Sequence, residues 1–381
     1  MSANASLIQS GVLALFVSIP LFRPVLLAHN QIYSVYAIFV LGFLVLLANI
    51  TVVKWANLRQ LFLLCAYTGI SVVASLFATQ DIRVDYLGLL CFLVISYLLG
   101  VWLGKAGSTH CFFRVAALIF LPIACYVVYH LSKNSFSYHT YYHWSSAAYK
   151  IDYLTTSLYA VVLLIYFSFN GRNALERYAL TAFCFSFVAI SGARYSIISA
   201  ACVGIYMMLR AAKISAMRTV TGCLAFLLVL TAWVLFNESL IAQLWDAIDH
   251  SVFRLEKLFG DDTSVAGRMV LMGKAGKVIF ENFSFGVGLA GSGDALGKYP
   301  HNILLEAFVD GGLFAMLLLL LFLVYSVYAL IKVDHEHKVW CVLLVGFLIG
   351  AFLKSFSLYE ARILFVFIGY AATLITREVP A

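Results

Sequence analysis

Residues 303–331 read ILLEAFVDGGLFAMLLLLLFLVYSVYALI. Beyond two acids near its start, Glu306 and Asp310, this run carries no charge. It is longer than the roughly 20 residues that cross a bilayer as a helix. Working outward, similar apolar runs recur between charged breaks. They lie near 8–22, 33–53, 61–79, 86–103, 115–132, 153–169, 178–192, 195–209, 219–236, 339–357 and 363–376. With the first, they make about 12 candidate spans, at ~20 residues each. Composition agrees. Hydrophobic residues make up 63% of the 381 and charged residues 11%, against roughly 45–50% and about 25% in ordinary globular chains. So few charges cannot cover a water-facing surface, which excludes soluble enzymes, nucleic-acid modules and disordered chains. The expected fold is all-α: a polytopic membrane protein.

Lys and Arg decide the expected orientation. With the N-terminus inside, twelve of the 25 basic residues fall in cytoplasmic loops and seven at short outside loops, leaving six in one long loop. The acids divide four inside and fourteen outside. Both termini are therefore expected in the cytoplasm. The net charge of +7 then reflects membrane orientation, and no nucleic-acid partner is implied. The first run lacks a basic leader and a cleavage site and is expected to be a retained span. The eight cysteines sit mostly in apolar runs, without CxxC spacing or a nearby His cluster, so neither a metal site nor a disulfide framework is expected.

The expected organisation is a bundle over 1–236, a large outside loop over 237–300, and a second bundle over 301–381. The loop is neither short nor low in complexity. Ser239–Phe259 and Ser264–Ile279 both carry apolar residues at helical spacing, as amphipathic elements at a membrane surface do. A long structured loop on a minimal bundle points to chemistry at the outer face. A second outside segment, 133–152, gathers Tyr141, Tyr142 and Trp144 with further Tyr and His residues. Two readings are open there: an interfacial aromatic belt, or a surface on which sugar rings stack.

Ionisable residues at membrane boundaries are functional candidates because they are costly in lipid. Arg194, in ISGARYS between two short apolar runs, has no acid close by in sequence. Its planar fork suits a phosphate, although snorkelling or a distant ion pair would also satisfy it. Arg268 lies on the second loop helix, where a solvated helix face is the plainer reading. His301-Asn302 follows Tyr299-Pro300 where the chain re-enters the membrane, with Glu306, Asp310 and Gly311-Gly312 further on. Pro300 suits the first turn of that span. Interfacial anchoring is the plainer account of a lone histidine, but two acids and a glycine pair in the same span go beyond anchoring.

The stretch GVGLAGSGDALGKYPHNILLEAFVDGGLFAMLLLLL (286–321) resembles the signature region of the O-antigen ligase/polymerase superfamily. The family's His-Asn precedes a glycine by about ten residues; here His301-Asn302 precedes Gly312. The ligase branch has a second glycine where this chain has Ala315. Upstream, Arg268, Gly286 and Gly288 match the family's Ser…Arg…Gly-x-Gly run, and Arg194 matches its Ser-x-x-Arg element. The motifs cover roughly 178–331.

The resemblance implies a GT-C-like fold and a metal-independent glycosyltransferase with no cofactor. Its donor would be an undecaprenyl-diphosphate-linked oligosaccharide, used at the periplasmic face of the bacterial inner membrane. Arg194 and Arg268 would hold the diphosphate as negative charge develops. His301 would take the proton of the attacking hydroxyl or hydrogen-bond the diphosphate. Tyr299, Asn302 and Glu306, with the aromatic trio of 133–152, would support substrate. Within the family the chain looks most like an O-antigen polymerase, which implies a chain-length regulator as a further partner. The alternatives are an O-antigen ligase acting on lipid A–core and, from another class, a secondary transporter. Against transport stand the missing internal repeat and the lack of paired glycine- or proline-interrupted spans.

Overall fold

The computed structural model describes residues 8–18, 58–78, 84–106, 108–133, 153–173, 175–191, 193, 195–208, 263–332 and 338–377, with single positions at 21, 40, 43 and 44. Among the described residues the regular structure is entirely helical, with no strand. We number the helices α1 (Ile8–Ser18), α2 (Leu58–Phe77), α3 (Val84–Ala106), α4 (Thr109–Lys133), α5 (Tyr153–Asn170) and α6 (Thr181–Ser191). Then follow α7 (Tyr195–Met208), α8 (Thr263–Glu281), α9 (Gly291–Leu296), α10 (Ile303–Lys332), α11 (Lys338–Lys354) and α12 (Arg362–Arg377).

Three of the described helices are long and apolar enough to cross a membrane: α2, α4 over Thr109–Tyr129, and α10. Shorter apolar helices lie at α1, α5, α7, α11 and α12 and over Leu90–Lys105 of α3. The expected span at 219–236 lies outside the described residues, as do nearly all of 33–53 and the expected loop helix at 239–259. The expected span at 178–192 begins differently from an ordinary helix. Leu175–Leu180 is a π-helical turn that runs into α6.

The described residues fall into two compact units, grouped by packing and not by chain order. One comprises α1 to α3, the start of α4 and everything from Thr263 onward; the other comprises the rest of α4 and α5 to α7. In the second unit, α5 is buried on every side from Thr155 to Ser168, which its all-round apolar composition requires. Ser196 of α7 donates to Ser157 of α5 at 3.1 Å. At the π-helical turn, Arg177 Nη2 donates to the Gly171 carbonyl and Arg172 N to Glu176 Oε2.

In the first unit, small residues let helix backbones approach. A Cβ at Gly100 of α3 would land on the Val366 carbonyl, and one at Gly369 of α12 on the Tyr97 carbonyl. Without a hydrophobic force between helices in lipid, such close packing is a main source of association. Polar glue joins three helices, α2, α3 and α10. Gln60 of α2 donates to Ser326 Oγ of α10 at 3.1 Å and accepts from Tyr97 Oη of α3 at 2.8 Å, all of it buried.

Helix α10 departs most from expectation. The apolar run predicts one continuous span, but Gly312 has φ 72° and ψ −170° and breaks it into two pieces. The freed backbone groups need partners, because each one unsatisfied in lipid costs several kcal/mol. The turn after α8 supplies them. Val287 N donates to Val309 O at 2.8 Å, Gly288 N to Asp310 O at 2.9 Å, and Leu313 N to Phe283 O at 3.0 Å. A Cβ at Gly312 would strike the Ser284 carbonyl. Gly312→Ala is therefore expected to destabilise the protein by about 3 kcal/mol, from a glycine-only backbone conformation and the displaced carbonyl together. Gly273→Ala is the control: it meets nothing within 4 Å and gains up to about 1 kcal/mol of helix propensity. Thermal denaturation in detergent checks both, and an unchanged melting temperature for Gly312→Ala would show that the break needs no glycine.

Candidate functional site

The first piece of α10, residues 303–311, is held at both ends, and the two ends differ chemically. At the break, both carboxylate oxygens of Asp310 accept backbone N–H groups, from Ala290 at 3.2 Å and Ser292 at 2.8 Å. Helix α9 has no side-chain cap of its own, and Ala290 before it is left-handed at φ 57°. Asp310 thus caps α9 from another helix, placing negative charge at a helix N-terminus, where it is favourable. Ser75 of α2 adds a tie by accepting from Leu289 N at 2.8 Å. Gly286 (φ 67°) lies so close to α10 that a Cβ there would meet the Val309 and Asp310 carbonyls. The Gly-x-Gly run and the glycine pair are therefore two halves of one joint.

At the other end stands His301. Asn302 Oδ1 accepts from Leu304 N at 2.9 Å and Leu305 N at 3.0 Å, which makes Asn302 the N-cap of α10. This corrects the reading of Pro300: the proline precedes the cap and does not occupy the first turn. His301 is left-handed at φ 57°, a region that non-glycine residues enter rarely and histidine more often than most. Its ring is partly exposed and lies 4.3 Å, centroid to centroid, from that of Tyr299. Its Nδ1 is 3.3 Å from the Ser355 carbonyl. A carbonyl only accepts, so Nδ1 carries the hydrogen. In the neutral ring the lone pair is then on Nε2.

Ser355 belongs to the corner between α11 and α12, and Glu306 reaches the same corner. Its Oε1 accepts from Ser357 Oγ and its Oε2 from Leu358 N, each at 2.7 Å. Glu306 is 1% exposed, so these bonds offset the burial of its carboxyl. Sequence reasoning missed Ser355 and Ser357. The only local signal was two small polar residues closing an apolar run.

Arg268 lies on α8, three positions before Leu271 and seven before Ala275, the spacing of one helix face. Leu271 and Ala275 pack in one buried cluster with Leu305 and Val309 of α10. Since Leu313 N also bonds Phe283 O, α8 and the first piece of α10 run side by side in the same sense. Arg268 lies in the N-terminal part of α8, and His301 lies just before the N-terminus of α10. The two positions thus fall at the same end of the unit. Arg194, Tyr141, Tyr142 and Trp144 lie outside the described residues. Next to Arg194, Ala193 is 3% exposed, and its carbonyl accepts from Ile197 N to open α7.

A model of the family described as O-antigen ligase matches residues 179–320. Members of that family are glycosyltransferase-like enzymes. No curated protein matches the chain. The matched residues run from the end of the π-helical turn through the joint at Gly312 and include Arg194, Arg268, His301, Asn302 and Glu306. Together with the apolar helices, the match supports membership of the O-antigen ligase/polymerase superfamily of membrane proteins.

Proposed function

We propose that the chain is an O-antigen (surface polysaccharide) polymerase of the bacterial inner membrane. It transfers the growing glycan from undecaprenyl diphosphate to the next lipid-linked repeat unit, at the periplasmic face and without a metal. The observation that carries the mechanism is the hydrogen bond from His301 Nδ1 to the Ser355 carbonyl. It leaves neutral His301 with an accepting Nε2, the form a general base requires. Nε2 takes the proton from an acceptor hydroxyl as that oxygen bonds to the anomeric carbon. The bond from that carbon to the diphosphate oxygen breaks, and undecaprenyl diphosphate leaves. Arg194 and Arg268 hold the charge developing on it with bidentate hydrogen bonds. Tyr141, Tyr142, Trp144 and Tyr299 offer faces to sugar rings.

A ligase that delivers the glycan to lipid A–core is the second reading, and the description of the matched family favours it. Ala315, where the ligase pattern has glycine, favours the polymerase. Supplying the purified protein with donor and each acceptor separately tests this. Elongated lipid-linked glycan is the expected product. Glycan on the core alone would make the protein a ligase, and accumulation of substrate in proteoliposomes without new linkage would make it a transporter.

A further inference from the structure

We propose that Glu306 is a positioning residue for His301, acting through the Ser355–Leu358 corner to hold the imidazole with its hydrogen on Nδ1. The proposal rests on the reading of His301 as the base. Glu306 and His301 do not need to touch for this, because both grip one short piece of chain. The Glu306 carboxyl takes Ser357 Oγ and Leu358 N at 2.7 Å each, and His301 Nδ1 takes the carbonyl of Ser355, two residues earlier. The corner has its own order. Ser355 N donates to Ala351 O at 2.9 Å, Glu360 N to Ser357 O at 3.1 Å, and Ala361 N to Leu358 O at 3.0 Å. Only Phe356 separates Ser355 from Ser357, so a displacement of Ser357 and Leu358 is passed to the Ser355 carbonyl along the chain.

A buried carboxyl is a poor choice if the task is only to join α10 to the corner. A well-packed apolar side chain fills the same space without the desolvation penalty. What the carboxyl adds is direction: two short bonds set where the corner's carbonyl lies relative to the ring. The other acid on this piece of helix cannot substitute, since Asp310 is committed to Ala290 N and Ser292 N. The Ser355 bond to Nδ1, at 3.3 Å, is long, so a small shift of the corner is enough to lose it. Once it is lost, the ring can carry its hydrogen on Nε2, which removes the lone pair the base needs.

The test compares Glu306→Leu with Glu306→Gln in the full-length protein. Glutamine can keep both bonds, accepting from Leu358 N and donating to Ser357 Oγ; leucine keeps neither. The direct readout is the 15N spectrum of the imidazole, with the His301 signals assigned by difference from His301→Gln. Wild type and Glu306→Gln should show hydrogen on Nδ1, and Glu306→Leu should show a large share on Nε2. The turnover number of Glu306→Leu should fall about 10²-fold, the effect of a misplaced catalytic group, with KM within about 2-fold. Should the leucine variant not fold, Ser357→Ala removes one bond and gives the same reading. An unchanged tautomer in Glu306→Leu, or in Ser357→Ala, overturns the positioning role. A shifted tautomer with unchanged turnover upholds it and overturns His301 as the base.

Discussion

His301→Ala is expected to lower glycan transfer by about 10²–10⁴-fold, the usual contribution of a positioned base. His301→Ala also removes the bond to the Ser355 carbonyl at a left-handed position, φ 57°, that histidine enters more readily than most residues, so that variant alone confounds chemistry with folding. His301→Asn separates them. Asparagine tolerates the left-handed region, and its amide nitrogen can occupy the place of Nδ1 and donate to Ser355 O. It should be as stable as wild type and as inactive as alanine. His301→Gln reports on the other nitrogen, since its amide can donate from near the position of Nε2. A base predicts glutamine as inactive as alanine at every pH; a mere hydrogen bond to the diphosphate predicts part of the rate retained. Asn302→Ala should lose about 1 kcal/mol of stability with its cap and much less activity. Full transfer by folded His301→Ala protein would remove the residue from the site.

Arg194→Ala and Arg268→Ala are each expected to lose about 10²–10³-fold in rate while folded protein remains in the membrane, comparable with removing an oxyanion donor. Lysine at either position should restore only part, because a point charge lacks the bidentate fork. For Arg268 the expectation has a geometric basis. Its helix shares a buried cluster with α10, and its position falls at the same end of the unit as His301. For Arg194 it rests on the motif at the start of α7 and on its inclusion in the matched region. The assay is the lipid-linked glycan ladder made by purified variants. Near-normal polymer from either alanine variant would sink the role of that arginine.

Helix positions were legible because the signal is local. A long apolar run bounded by charges has few alternatives in lipid, and so 339–357 reappears as Lys338–Lys354 and 363–376 as Arg362–Arg377. The spacing over Ser264–Ile279 likewise gives Thr263–Glu281. The candidate residues around His301 were read as motifs, and they fall within the matched residues 179–320.

Sequence by itself thus determined an apolar chain, helical throughout its described regular structure, and the motifs that lie within the family match. Only the tertiary structure decided what those residues hold. A glycine pair inside a helical run is ordinarily tolerated; Gly312 becomes a break because Phe283, Val287 and Gly288 are there to bond the freed backbone. Glu306 read as a substrate contact, and its carboxyl is instead engaged by Ser357 and Leu358, 51 and 52 residues away. His301 read as either a base or a hydrogen-bond donor to the diphosphate, and the Ser355 carbonyl that faces its Nδ1 lies 54 residues on. Helical periodicity says which residues share a face but not which other helix that face will meet. Directional hydrogen bonds between distant segments, where this site's chemistry is set, form only once packing has brought those faces together.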